Sequence, residues 1–430
     1  MEAAVEKANY PFDQNIFCKN LDELSNLARI AAPVFEECIE QELKTLRSES
    51  IVLFGAGRFG RYLARALKGQ GLEIAAFCDN NPGLWGQRVD DVPVLAPDDL
   101  KKTADASIYY ALYDRPQIAA IARQLTAMGL APNGTAHFRK LLTFMGHHLA
   151  VARLRSFQDH LAEITQIYDW LADEKSRFVY INILKTWMIF AGNHHVLSML
   201  AEGAQYWALP EFRSLPDSVF VDVGAFIGDT VEGFVLNNLE SGFRKIYAFE
   251  PVSDTFPILT QNVKRLIEYY GLPAGSIECL NLNLGLRPDS PEAETNILIA
   301  HHPVIFDGFI RDCPAPHYRL FEDDQPYDGC SLLMSPGMDQ NKMYELDEYF
   351  DNREVSLIKL DTEGCEMNIL RGGASLIRDQ RPKLAVSIYH RFEDLFNIAG
   401  YLKKLVPDYK LAVRHHSFAA HETVLYCWRP

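Results

Sequence analysis

Apolar positions along this chain fall into two separate runs of alternating strand-like and helix-like segments. After a largely helical arm over residues 1–45, "SIVLFGAGRFGRYLARAL" (Ser50 to Leu67) presents an apolar strand, the turn Gly55-x-Gly57-x-x-Gly60, and a helix with Leu63, Ala66 and Leu67 on one side. "EIAAFCDN", ending near Asp79, and "SIYYAL" read as further strands, followed by the helix "RPQIAAIARQLTAMG". This alternation predicts a small parallel, Rossmann-like sheet over residues 46–145. In "VARLRSFQDHLAEITQIYDWLA" (Val151 to Ala172), Leu154, Phe157, Leu161, Ile164, Tyr168 and Leu171 recur at three- and four-residue steps, which predicts an amphipathic helix inside a helical connector over 146–210.

The second run fills residues 211–430. It reads "VFVDVG", a helix, "KIYAFEP", the helix "DTFPILTQNVKRLIEYYG", "IECLNLNLG", then "VSLIKLDTEG", the helix "MNILRGGASLIRD", "KLAVSIYH", a helical segment, "YKLAVRHHS" and "ETVLYCW". That is seven strands, the last two near enough to form an antiparallel pair. Between them, Leu286 to Leu346 is rich in Pro, Asp and His without a period, and a stretch of that length inside a domain is typically a lid or binding insertion. Its His301, His302, Tyr318 and Tyr327 are expected to cover the carboxyl face and to supply contacts of the kind sugars use.

Composition narrows the class. With 430 residues and 48% hydrophobic content the chain has enough apolar mass for two or three cores. No apolar run reaches the roughly 18 residues that span a bilayer, and "MEAAVEKANYPFDQ" lacks the basic and apolar regions of a signal peptide, so the expectation is a cytoplasmic protein with no membrane partner. The eight cysteines show no C-x-x-C, which indicates neither a zinc ribbon nor a disulfide framework. A formal charge of −15 without a basic block argues against nucleic acid as a partner.

Both halves place a glycine turn after a first strand and an acid after the second, the arrangement that holds an adenosine cofactor across the carboxyl ends of parallel strands. Glu250 follows Gly224 at close to the spacing of about 20 residues expected of a ribose-binding acid. A pyrophosphate wants bare backbone N–H groups, whereas "DVGAFIGD" carries Asp222 and Asp229, which would repel it and attract a sulfonium and an ammonium. The turn therefore favours S-adenosyl-L-methionine. "FVDVGAFIGDT", "YAFEPVSDTFPILTQNV" and "IKLDTEGCEMNILRGG", in this order, with "PKLAVSIYHRFEDL", "YKLAVRHHS" and "ETVLYCW" after them, resemble the FkbM-type family of S-adenosylmethionine-dependent methyltransferases over residues 215–428. The resemblance implies a seven-stranded class I methyltransferase sheet and methyl transfer, usually to a hydroxyl of a sugar, polyketide or similar small molecule. It implies that Asp222, Gly224, Ala225, Gly228, Asp229 and Thr230 bind the methionine end of the cofactor, that Glu250 with Pro251 holds the ribose, and that Asn283 lies near adenine. Phe226, where the family often has a small polar residue, and the long insertion are departures that bear on the acceptor.

Because parallel strands deliver their last residues to one edge, Asp361 and Glu363, His390, and His415 with His416 are expected to gather beside the sulfonium. An alcohol needs a positioned base during transfer, and histidine suits that task. His390 is the first choice, oriented by Asp361 or Glu363, with no metal assigned; the competing reading is a divalent metal held by the same carboxylates and imidazoles. In the first half, "GAGRFG" with Arg58 and Arg61 tolerates anions and Asp79 disfavours a 2′-phosphate, so a nucleotide or nucleotide-sugar fits there, in a binding or structural role. The alternative to a methyltransferase acting on a glycan or glycosylated metabolite is a non-catalytic nucleotide or nucleotide-sugar binding protein. The acids and histidines at the strand ends speak for the enzyme.

Overall fold

In the computed structural model, which describes residues 17–103, 106–112, 115–130, 135–189, 194–213, 215–286 and 343–430, the chain opens on α1 (Leu21–Leu46). Asn20 caps this helix, its side chain accepting from Glu23 N at 2.9 Å, while Glu23 reaches back to Lys19 N at 2.8 Å; the reciprocal pair satisfies donors that the first turn leaves open. The first alternating run follows as β1 (Ser50–Phe54), α2 (Arg58–Gly69), β2 (Ile74–Cys78), β3 (Arg88–Val89), β4 (Val92–Leu95), β5 (Ala106–Tyr110) and α3 (Arg115–Ala127). Its five strands are ordered β3-β4-β2-β1-β5.

The connector comprises α4 (Thr135–Asp159), α5 (Leu161–Trp170), α6 (Glu174–Ile189) and α7 (His194–Leu200). The single helix expected over Val151 to Ala172 is broken at His160, whose ring lies 5.0 Å from that of Phe396. The apolar period runs through the break because both helices bury the same side. Helix α4 also runs through the expected boundary at residue 145, and α1 packs along it. One continuous apolar cluster joins Phe35 and Leu43 of α1, Ile51 and Leu53 of β1, Phe144 and Leu154 of α4, and Val221 and Val413 of the second sheet.

The second run gives β6 (Val219–Val223), α8 (Asp229–Asn238), β7 (Lys245–Phe249), α9 (Phe256–Tyr270), β8 (Ile277–Leu280), β9 (Asn283–Leu284), β10 (Met343–Tyr344), α10 (Leu346–Tyr349), β11 (Leu357–Leu360), α11 (Glu366–Gly372), α12 (Ala374–Gln380), β12 (Lys383–Ser387), α13 (Asp394–Leu405), β13 (Lys410–His415) and β14 (Thr423–Trp428). Seven of these strands form one sheet ordered β13-β14-β12-β11-β6-β7-β8, with β14 antiparallel to both of its neighbours. Every residue of β6 is buried, as a central strand covered on both faces requires. The expected third strand over "IECLNLNLG" is two: β8 stays in the sheet, and β9 leaves it to pair with β10, so the two ends of the irregular insertion are pinned together. Residues 287–342, with His301, His302, Tyr318 and Tyr327, lie outside the described residues. The outer edge of β13 is closed by the connector, through Ala172 N to Leu411 O and Glu202 N to His415 O. No helix among the described residues is long and apolar enough to cross a membrane.

Candidate active site at the carboxyl edge of the second sheet

Strand β6 ends in a turn that only glycine allows. Gly224 has φ +77°, and a Cβ there would lie 1.9 Å from the carbonyl oxygen of Asp361, so the turn and the end of β11 are in backbone contact. Gly224 N and Ala225 N both donate to Phe249 O. Phe226 follows with φ 46° and stands exposed; Gly228, at φ 92°, starts α8, with Asp229 exposed and Thr230 buried behind it. Glu250, at the end of β7, is 5% exposed and clasps the turn: one oxygen accepts Phe226 N and the other Val252 N, each at 2.9 Å. Burial pushes Glu250 up to about 7, against the two backbone donors that favour its ionised form. Asn281 donates to the carbonyls of Glu250 and Pro251, whereas Asn283 belongs to β9.

Asp222 does not face outward as the sequence argument assumed. It is fully buried and pairs in register with Lys359 of β11, whose Nζ stands 3.0 Å from it, donates to Gly224 O at 2.6 Å and lies 5.4 Å from the Tyr206 ring centre. Burial raises the Asp222 carboxyl more than Lys359 lowers it. Of the two acids at the turn, then, Asp222 has its charge compensated internally and Asp229 carries the exposed one.

The ends of β11 and β12 are latched together. Residues Glu363 and Gly364 both take positive φ, 54° and 98°, which curls the segment after β11 so that Asp361, Glu363 and Glu366 converge on His390. Glu366 is fully buried; its Oε1 accepts Thr362 N at 2.7 Å and lies 3.0 Å from His390 Nδ1. On the other side of the ring, His390 Nε2 stands 3.5 Å from Asp361 and 3.6 Å from the exposed Glu363. Tyr389 OH donates to one oxygen of Asp361 at 3.0 Å, Tyr206 OH to the other at 2.7 Å, and Arg391 Nη2 to Gly364 O at 2.6 Å.

This geometry changes the expected roles. Burial alone would push His390 down, but Glu366, followed by Glu363 and Asp361, holds it at about 10. The imidazole already carries its second proton at neutral pH and is no resting base. His415 and His416 leave the group altogether, because β14 inserts between β12 and β13 and moves the end of β13 two strand spacings, roughly 10 Å, from β12. His415 is buried against Thr423, and burial, with His416 beside it, pushes it down to about 3; both ring nitrogens of His416 are taken, by Glu202 O and Tyr426 OH. In their place the loop into β14 brings His421, its ring 6.4 Å from that of Tyr389, and Glu422, hydrogen-bonded by Gln205. Burial, then the charge of Asp361, pushes Glu422 up to about 7. Lys359, Glu366, Tyr389, Glu422, Gln205 and Tyr206 join the site without having been expected there from the sequence. A lysine inside the apolar strand "VSLIKL" was a signal, since a charge there needs a partner; Gln205 and Tyr206 had none, being swung in from the connector by positive φ at Ala204 and Tyr206.

The first sheet repeats the turn without the acid cluster. Asp79 Oδ2 accepts Ala56 N at 2.7 Å and Oδ1 accepts Asn81 N, as Glu250 does in the second sheet, and a Cβ at Gly60 would lie 1.9 Å from Gly55 O. Arg61 and Arg65 are both engaged by Asp90.

The family model for the methyltransferase FkbM domain matches residues 222–410. No curated protein sequence matches the chain. The crystal structure of a methyltransferase FkbM from Methylobacillus flagellatus KT superposes with a TM-score of 0.51 at 18% identity, covering 94% of this chain and 99% of that one, which shows a shared fold. A precorrin-6y C5,15-methyltransferase from Geobacter metallireducens GS-15 (TM-score 0.24, 12% identity, 54% of this chain and 95% of that one) and an O-methyltransferase family protein from Burkholderia thailandensis (0.24, 10%, 73% and 84%) are too distant to carry argument.

Proposed function

The C-terminal half of this chain belongs to the FkbM-type methyltransferase family, and from that premise we propose that it transfers the methyl group of S-adenosylmethionine to a hydroxyl oxygen of a glycan, glycosylated metabolite or polyketide. One observation carries the reading: the Gly224 turn, clasped by Glu250, is in backbone contact with the segment that holds Asp361 among two tyrosine hydroxyls and His390. A cofactor-binding turn and a polar cluster suited to orienting a hydroxyl thus share one edge.

The residues fit the cofactor. Each oxygen of Glu250 accepts one backbone N–H and keeps a lone pair for a ribose hydroxyl. Exposed Asp229 suits the cationic methionine end, and bound S-adenosylmethionine supplies an electrophilic methyl group. Asp361, fixed by Tyr206 and Tyr389, orients the acceptor. The base is Glu422 rather than His390: its raised pKa near neutrality matches the work of taking a hydroxyl proton during transfer, and it stands close enough to Asp361 to feel its charge. The first sheet serves as scaffold: among the described residues Arg61 is held by Asp90, and no acid cluster accompanies its turn.

The test is calorimetric titration with S-adenosylhomocysteine and, separately, NAD, followed by a screen of purified glycans and glycosylated metabolites with a labelled methyl donor. Heat from NAD alone, unchanged in Glu250→Ala, removes the cofactor assignment. With an acceptor in hand, Glu422→Gln is expected to cut turnover by about 100-fold or more and to erase the acid limb of the rate profile near neutrality. A parent-like profile removes Glu422 from the mechanism.

A further inference from the structure

The acids that converge on His390 are too many for the cations beside them. Among the described residues Asp361, Glu363 and Glu366 all form their ion pairs with this one imidazole, and no lysine or arginine pairs with any of them. Glu366 is fully buried, and its second oxygen, Oε2, has no hydrogen-bond partner among the described residues. A buried carboxylate oxygen without a hydrogen bond is costly, and the buried Asp394 beside Glu366 adds a second acid that a cation would offset.

The three side chains are close enough to share one ion, although Asp361 meets the ring at Nε2 and Glu366 at Nδ1 and an ion takes only one of the two nitrogens. Asp361, Glu366 and His390 each offer one donor atom within 4.8 Å of the others. With metal–ligand bonds of about 2.1 Å, donor atoms stand about 3.0 Å apart along an octahedral edge and about 4.2 Å across the diagonal. The 3.5 Å gap from His390 Nε2 to Asp361 lies in that range, beyond an ordinary N–H···O hydrogen bond. Two carboxylate oxygens and one imidazole nitrogen suit a divalent ion of the manganese, iron or zinc kind. The scaffold is rigid: Thr362 N fixes Glu366, Tyr389 and Tyr206 fix Asp361, and Arg391 ties the intervening loop.

We propose that Asp361, Glu366 and His390 form a divalent-cation site at the mouth of β11 and β12, the ion displacing the second proton of the imidazole as it binds. The ion neutralises the buried acid cluster and keeps coordination positions open toward the Gly224 turn. If the methyl-transfer reading holds, and this consequence rests on it, the ion there takes the acceptor hydroxyl, makes it more acidic and leaves Glu422 to remove the proton.

The probe is Mn2+, titrated into the full-length chain after EDTA treatment and dialysis, with free ion followed by electron paramagnetic resonance. One Mn2+ per chain is expected, its affinity weakened about 10- to 100-fold or more in Asp361→Asn, and likewise in His390→Gln. Circular dichroism melts identify any variant that fails to fold, and the parent titration decides independently of the variants. A parent that binds no Mn2+ overturns the proposal, as does binding that survives in both folded variants. The readout needs neither donor nor acceptor: S-adenosylhomocysteine calorimetry on the same stripped sample reports on the methyltransferase reading, so the failure of one is distinguishable from the failure of the other.

Discussion

Replacing Lys359 by methionine tests whether the acid before the glycine turn is held by charge compensation. Lys359 is 3% exposed and Asp222 fully buried, 3.0 Å apart on adjacent strands in register. Methionine keeps most of the stem volume and leaves a buried carboxylate facing no cation. Losing one partner of such a pair costs about 3–5 kcal/mol, which at about 2–4 °C per kcal/mol lowers Tm by about 6–20 °C. Removing both charges, in Asp222→Leu with Lys359→Met, should restore most of that loss, since apolar replacement of a whole buried pair is often neutral or better. The pH dependence has a definite sign. Burial already raises the Asp222 carboxyl despite Lys359. A raised carboxyl favours the folded state below its ordinary value and loses that contribution as pH climbs through the folded value. Without Lys359 it rises further, so the deficit of the single variant grows from about pH 5 to about pH 8, while that of the double variant does not. Urea unfolding followed by tryptophan fluorescence at both pH values measures this. A deficit under about 1 kcal/mol, the size of an exposed pair, or one that is flat across the window, refutes the compensation argument.

Gly224→Ala meets both a positive φ and a contact of 1.9 Å with the Asp361 carbonyl, so it is expected to cost about 3–5 kcal/mol and to abolish S-adenosylhomocysteine binding; a stable variant that still binds contradicts the backbone contact. Because ribose hydroxyls donate best to an ionised Glu250, whose pKa burial raises to about 7, cofactor affinity should fall as pH drops through that value in the parent and stay flat in Glu250→Gln, by calorimetry; the opposite slope removes Glu250 from the ribose. Arg391→Met frees the carbonyl of Gly364 and relaxes the segment that aims Asp361, so turnover is expected to fall about 10- to 100-fold, with a smaller loss of cofactor affinity through the Asp361 carbonyl that packs on Gly224; parent-like turnover shows that the latch is not needed. Deleting residues 1–145 cuts α4 and uncovers its face against α1, so fragment 146–430 should fail to fold; a soluble fragment with cooperative melting and S-adenosylhomocysteine binding would establish an independent domain.

What the sequence made legible follows from what period and glycine encode. The strands of the second sheet are short apolar runs between turn residues, and a helix between two such runs commits them to parallel neighbours, so β6, β7, β11 and β12 could be ordered from pattern and family resemblance together. The position of β14 could not. An antiparallel pair at the chain's end satisfies the pattern whichever of its members lies inside, and the choice decides whether His415 or His421 reaches the edge. The same limit explains α4 and α5: a period reports which side is buried and says nothing about a break at His160 when both pieces face one core. Lys359 and Glu366 stood inside quoted motifs, yet their roles depend on partners 137 and 24 residues away in sequence, Asp222 and His390, and only the register of β6, β11 and β12 brings those together.

The positive φ values at Glu363 and Gly364 bear on why this edge is built as one piece. Glu363 in a left-handed conformation costs about 1–3 kcal/mol and persists only where neighbours over-determine it. Three consecutive residues after β12 do so: Tyr389 holds Asp361, His390 meets Glu366, and Arg391 takes the carbonyl of Gly364. A relaxed turn at that point would leave Asp361 following the line of β11 and Glu366 alone beneath it, with no common point for their carboxylates. The strain is therefore tied to convergence: it aims acids from the end of one strand and the start of one helix at a single imidazole on the next strand. It also couples the two sides of the site, because the Asp361 carbonyl that packs on Gly224 belongs to the same residue whose carboxylate the tyrosines hold. Any shift of the cofactor turn is then felt at the acceptor-facing acid through one residue's backbone, with no intervening side chain to absorb it.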